Sequence, residues 1–316
     1  MNIRFGIQIE PQLGFDYSTV EKIALNAEKI GYDSIWSSDH FFLDNKSEEK
    51  NCMEAWTLLA ALASKTTSLR LGTLVTGNSY RYPAILAKIA ATVDMISNGR
   101  LEFGIGAGWK EIEYKAYGIP FPCVKDRMDQ LEESIQIIKK LWTEPKVTFN
   151  GEHYQIKDAF SAPKPIQQLP PIFIGGTGKK RILRMVAKYA DYCNFGWFYV
   201  PDKIPDLLTT LKDHCDKVSR DYESVGKSFF ASVIVAETED ELENILSDRA
   251  KARNMGVEEY RKMLGNGVFF GTPEFIQERF ENLINLGFDY FQIMYPYPMD
   301  YEQSTKFAEL VIPKIR

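Results

Sequence analysis

The chain has 316 residues, 45% hydrophobic and 26% charged, a balance that suits one large globular fold whose core needs no disulfide or metal to hold it. A net charge of −5 excludes nucleic acid as the main partner, because a phosphate-binding face must be basic and the longest basic run is Lys179-Lys180-Arg181. Four scattered cysteines without a C-x-x-C pair, three distant histidines and no apolar stretch of spanning length argue against a disulfide scaffold, a metal site and a membrane segment.

From the N-terminus, Met1-Asn2-Ile3-Arg4-Phe5 reads as the start of an alternating strand rather than a signal peptide, and the scattered cysteines fit reduced core thiols, for which a cytoplasmic location is expected. Short apolar runs predict strands at Arg4–Ile9, Asp33–Trp36, Arg70–Val75, Leu101–Ile105, Pro171–Ile174, Tyr192–Phe195, Ser228–Val235 and Tyr290–Met294. Amphipathic spacing predicts helices near Thr19–Ile30, Glu54–Thr66, Ala84–Ile96, Arg127–Leu141, Lys180–Tyr189, Ile204–Ser219, Glu239–Asn254 and Pro273–Leu286. This alternation predicts an α/β fold, a (β/α)₈ TIM barrel, as one domain over residues 1–316. Ser18 with Glu21 reads as a capping box, and Thr272-Pro273-Glu274 as an N-cap followed by a first-turn proline and acid. Two stretches interrupt the rhythm. Glu144–Ala162, around Asn150-Gly151, predicts a β-hairpin insertion between strands 4 and 5, and Met255–Gly271 an extra helix and loop before the last unit.

In a barrel, chemistry gathers where strands end, so the residues after each strand are the candidates. Asp39-His40 leaves strand 2. A histidine there can exchange a proton, with aspartate orienting it or binding a ring N–H; the plain alternative is a loop start and a helix cap. Gly104-x-Gly106-x-Gly108 is no dinucleotide fingerprint, since Trp109 stands where the last glycine belongs. Small residues there let a planar ring approach the backbone, or simply make a tight turn. Trp109 is a candidate wall of a substrate pocket, alongside Glu10 and Phe41 at the ends of strands 1 and 2. Glu111 is the candidate proton-transfer carboxylate, whereas Glu113 is expected to be a solvated helix start. Gly175-Gly176-Thr177-Gly178 opens a helix and is followed by three cations, which are unfavourable at that end of the helix dipole unless an anion is near; this favours phosphate binding. Barrel phosphate sites more often follow strands 7 and 8, and this one follows strand 5.

Taken together, Ser38-Asp39-His40-Phe41, Leu71–Thr76, Asn98–Trp109 and Pro171–Gly176 resemble luciferase-like monooxygenases, and most of all their branch that uses the deazaflavin coenzyme F420. The hairpin and Gly271-Thr272-Pro273-Glu274 match as well, so the resemblance spans the whole chain. It implies a barrel whose open end holds the cofactor, and hydride transfer between F420 and a small organic substrate. It further implies that Asp39 and His40 lie beside the ring, and that a bulge at Leu74-Val75 with a non-prolyl cis peptide forms a shelf behind it. Thr76, Ala107 and Gly108 match ring-contacting positions, and Gly176, Thr177 and Gly178 match the region holding the phosphate tail. Dimers are common in this family, which makes a homodimer the expected partner state. The chain departs from the sugar-phosphate-oxidising members. Trp109 replaces a glutamate of theirs, and Leu43 and Asp44 stand where they carry a tryptophan. Sugar-phosphate oxidation is therefore not expected, and proton transfer falls to His40 or Glu111. Rival readings are an FMN-dependent monooxygenase on the same barrel and a flavin-binding barrel without turnover. A lyase or aldolase would want a Schiff-base lysine at a strand end, and none of the eight strands ends in one.

Overall fold

The structure is a computed structural model that describes residues 2–196, 201–296 and 301–316. Eight parallel strands form its barrel: β1 (Arg4–Ile9), β2 (Ser34–Ser37), β3 (Arg70–Thr73), β4 (Leu101–Gly106), β5 (Ile172–Gly175), β6 (Tyr192–Phe195), β7 (Gly226–Val235) and β8 (Tyr290–Met294). They neighbour one another in chain order, and β8 bonds to β1 with Arg4 opposite Tyr290, which closes the sheet. Around them pack α1 (Tyr17–Lys29), α2 (Ala55–Lys65), α3 (Pro83–Ile96), α4 (Val124–Thr143), α5 (Ile182–Tyr189), α6 (Ile204–Lys217), α7 (Glu239–Lys251) and α8 (Pro273–Ile284). Strands covered by helices outside and side chains inside are buried on both faces, which is why they read as apolar runs. Along β1, Phe5 packs edge-on against Phe280 of α8 at 5.7 Å.

The barrel's amino end is closed by side chains. The Glu102 carboxylate, 1% exposed, accepts from Arg4 at 2.9 Å, Arg70 at 2.8 Å and Tyr290 Oη at 2.6 Å. The Arg4 guanidinium lies 3.8 Å above the Tyr290 ring, and Trp36 and Phe173 pack edge-on in the layer above. A charge buried this deeply is tolerable only because it is paired and fully hydrogen-bonded. With that end filled by side chains, the carboxyl ends of the strands are where a ligand cavity is to be sought.

Several local expectations change. The α1 cap is Asp16, whose carboxylate accepts from Thr19 N at 2.7 Å; Ser18 and Glu21 lie inside the helix and form no capping box. Thr272 and Pro273 do open α8. The insertion is a hairpin of Val147–Asn150 and Gln155–Ala159, but Asn150 pairs with Gln155, so its loop has four residues rather than a tight Asn-Gly turn. Glu133 of α4 holds that loop by accepting the amides of Glu152, His153 and Tyr154. The later insertion contains the helix Val257–Leu264 and also a strand, Val268–Gly271, parallel to the last four residues of β7. Helices Tyr301–Leu310 and Ile312–Ile315, which the sequence pattern did not mark, follow β8. Among the described residues no helix is long and apolar enough to cross a membrane.

Candidate active site

At β3 the strand does not run on to Val75. Gly72 pairs with Glu102 and Thr76 with Ile105, so β3 spends four residues where β4 spends three, and the extra residue makes a bulge. The Leu74-Val75 peptide in that bulge is cis. The barrel wall is shaped to receive it. A Cβ on Gly104 would stand 1.9 Å from the Thr73 carbonyl oxygen, and one on Gly106 or Gly175 would stand 2.8 Å from Val75 Cγ2. These glycines therefore make room for the bulge, while Gly108, at φ +74°, leaves room for Tyr114 Oη. A hydrogen-bond chain anchors the bulge from behind: Trp56 Nε1 donates to Thr76 Oγ1, Thr76 to Thr73 and Thr73 to the Gly104 carbonyl, each at 2.9 Å.

In front of the bulge opens a cavity of about 510 Å³. Asp39, His40, Leu74, Val75, Thr76, Ala107, Gly108, Trp109, Gly176, Thr177 and Gly178 all line it, as do Tyr80, Met128, Asn194 and Phe230, which the sequence reading did not single out. Eleven positions picked from four strand ends thus converge on one mouth.

Three other candidates do not line it. Phe41 stacks against Tyr117 at 4.4 Å and Tyr80 at 4.4 Å. The Glu10 carboxylate accepts from the side-chain amides of Gln8, at 2.8 Å, and Gln12. Glu111 is half exposed and pairs with Lys115 at 2.9 Å on the outer side of the short helix Glu111–Ala116.

Glu113 corrects the expectation of a solvated acid. Its side chain is fully buried. Oε2 accepts from Tyr80 Oη at 2.6 Å and meets His40 Nδ1 at 2.9 Å, while Oε1 accepts from Phe41 N at 2.9 Å, Phe42 N at 3.2 Å and Lys110 Nζ at 3.1 Å. Burial alone would raise its pKa, but these hydrogen bonds and the His40 charge outweigh it and hold the carboxyl at about 2. Burial and the Glu113 carboxylate together push the Tyr80 phenol well above its ordinary value, so Tyr80 stays protonated as a donor. Asp39, 4% exposed, does not reach for the histidine. Its two oxygens take a bidentate pair from Arg81 at 2.7 and 2.9 Å, and Arg81 also binds Glu54. The His40 ring stands edge-on to Trp109 at 5.7 Å.

Across the mouth, Gly176 sits at φ +114°, and the amides of Thr177 to Arg181 find no acceptor among the described residues. Lys179 and Arg181 are engaged by Asp206 and Asp129, so the turn presents its open N–H groups and Lys180. Outside the cavity, Asp126, Asp129 and His153 bring possible metal-ligand atoms within 4.8 Å, but Asp129 is already held by Lys125 and Arg181.

A closed barrel with a bulged third strand, a histidine after the second and an anion-ready turn after the fifth defines the class of protein. The chain belongs to the luciferase-like monooxygenase family, whose profile matches residues 2–265. It is 33% identical over 211 residues to an F420-dependent glucose-6-phosphate dehydrogenase of Amycolatopsis mediterranei, an alignment covering 65% of this chain and 61% of that one. The enzyme of the same name from Kribbella flavida aligns over 100% of this chain and 99% of its own length at 25% identity. The alignment with the Amycolatopsis relative therefore spans about three fifths of that protein. Among solved structures, an F420-dependent secondary alcohol dehydrogenase superposes with a TM-score of 0.84 at 22% identity over 100% of both chains, a likeness of fold.

Proposed function

We propose that this barrel is an oxidoreductase that moves a hydride between coenzyme F420 and a small organic substrate. One observation carries the reading: a histidine held through one nitrogen by a buried carboxylate turns its ring toward a cavity backed by the bulge and flanked by the anion-ready turn. The names of the curated relatives support F420 as the cofactor. The residues present fit such a group. Leu74-Val75 offers a flat shelf for a planar ring, with Ala107 and Gly108 alongside, and the Thr177–Arg181 amides suit a phosphate tail. Bound F420 supplies the ring carbon that takes up or releases hydride; the protein has to bind, orient and handle protons. His40 is the residue we assign to proton exchange with the substrate, and the bidentate pair from Arg81 fixes the Asp39 carboxylate at the cavity wall. Trp109, edge-on to His40, is read as a substrate wall.

The direct test titrates the purified chain with F420 and with FMN, following absorbance and fluorescence. Alcohol and carbonyl substrates are then screened for changes at the deazaflavin band. Tighter binding of FMN together with oxygen consumption would overturn the reading in favour of a monooxygenase, and F420 binding without turnover across the panel would favour a binding protein. The four free cysteines support a reducing, cytoplasmic setting. The exposed apolar residues Ile85, Met95 and Ile96 of α3 support a homodimer, which light scattering checks.

A further inference from the structure

We infer that Glu113 is the positioning residue of His40. Its carboxylate holds the imidazole as the Nδ1–H tautomer, so the neutral ring presents the Nε2 lone pair to the cavity. The inference rests on the hydride-transfer reading for its purpose, but not for its geometry.

The argument starts from hydrogen-bond capacity. Five donors or possible donors surround the Glu113 carboxylate: the amides of Phe41 and Phe42, Lys110 Nζ, Tyr80 Oη and His40 Nδ1. An ionised carboxylate only accepts, so Nδ1 must carry the hydrogen of the 2.9 Å contact. Nε2 makes no hydrogen bond among the described residues, and His40 lines the cavity. In the neutral ring that nitrogen is therefore the open acceptor. When an alcohol is oxidised, its C–H bond breaks with both electrons leaving as hydride to the deazaflavin of the proposed function, which is thereby reduced, while its O–H bond breaks, the proton moves to Nε2, and a carbonyl forms. The imidazolium so produced lies against a carboxylate that stabilises it; in the reverse direction Nε2–H returns the proton. Asp39, adjacent in sequence, is not this partner: its carboxylate is turned to Arg81, and no hydrogen bond joins it to His40 among the described residues.

The two ends of the carboxylate are unequal, and this makes the test sharp. Three donors converge on Oε1, two of them backbone amides that cannot turn away. In Glu113→Gln the amide oxygen must take that end, and the NH₂ must take the Oε2 position facing His40 Nδ1. The amide then donates where the carboxylate accepted, and the neutral ring switches to Nε2–H, a tautomer that cannot receive a proton at the cavity.

The experiment reads the imidazole ¹⁵N and ¹³C shifts of the chain without cofactor, at alkaline pH. Only three histidines need assignment, and a His40→Gln spectrum identifies the signals of His40. The expected result is Nδ1–H in the wild type and Nε2–H in Glu113→Gln, with circular dichroism confirming that the variant is folded. An Nε2–H wild type, or Nδ1–H retained in the folded variant, overturns the inference whatever the cofactor is. Should the variant not fold, the wild-type tautomer still decides. With F420 and a turning-over substrate, Glu113→Gln lowers kcat on the order of 10²-fold with KM little changed, and adding it to His40→Ala costs almost nothing more, since the two act as a unit. Losses that multiply would assign Glu113 a merely structural role. A correct tautomer in a chain that neither binds nor turns over F420 would sink the hydride-transfer reading alone.

Discussion

Replacing Gly104 by alanine tests whether the glycines of β4 exist to admit the β3 bulge. An ideal Cβ at this position stands 1.9 Å from the Thr73 carbonyl oxygen and 3.1 Å from Val75 Cγ1. The first obstacle is backbone, tied in place because Thr73 Oγ1 donates to the Gly104 carbonyl at 2.9 Å, so no rotamer change relieves it. Overpacking of a tight core costs typically about 1–3 kcal/mol, and a clash with backbone belongs at the upper end. Against this, alanine restricts the unfolded chain and returns about 0.4–1 kcal/mol. The net loss is then roughly 2 kcal/mol, which for a chain of 316 residues lowers Tm by about 3 °C. Gly106→Ala and Gly175→Ala provide the internal control. Each meets Val75 Cγ2 at 2.8 Å, a side-chain atom that can shift, so each costs less stability but displaces the shelf and weakens cofactor binding. Thermal unfolding followed by circular dichroism, with F420 titration of the folded variants, separates these effects. If Gly104→Ala melts within a degree of the parent, or below neither control, the packing argument is wrong.

Glu113 makes stability depend on pH in a defined window. Its carboxyl lies at about 2 in the fold against an ordinary 4.5, so its contribution of about 3 kcal/mol is fully present above pH 4.5 and is lost as pH falls toward 2. Urea unfolding should show the gap between wild type and Glu113→Gln closing across that range, and a constant gap would contradict it. Glu111→Gln should leave kcat/KM within twofold and Tm within about a degree, because an exposed i,i+4 pair contributes only about 0.3–0.5 kcal/mol. A tenfold loss of rate would return Glu111 to the chemistry.

The barrel and its open end were legible because apolar runs, helical spacing and position after a strand are properties of consecutive residues. Asp39 and His40 could be picked out by place alone, but what each touches could not. Their partners, Arg81 and Glu113, lie 42 and 73 residues away in sequence. Choosing between Glu111 and Glu113 required the rotation of one short helix. Two residues advance a helix by about 200°, so one of these acids had to face inward and the other outward. The cue at hand was Tyr114, which is buried beside Glu113, but the apolar Ile112, which is exposed, pointed the other way.

The glycines carry this point further. Gly104 and Gly106 were visible as small residues that a planar ligand could explain, and Gly175 as the start of a turn suited to phosphate. Their neighbour turns out to be the protein itself: the Thr73 carbonyl and the Val75 side chain fill the space that a Cβ would take. The proposed ring site would thus be built at one remove, since glycines on β4 and β5 seat a bulge from β3 and the bulge offers the shelf. Composition along a strand reveals that something must come close. What comes close is decided by a different strand, and for Val75 that decision depends on a one-residue mismatch in pairing that no single segment contains.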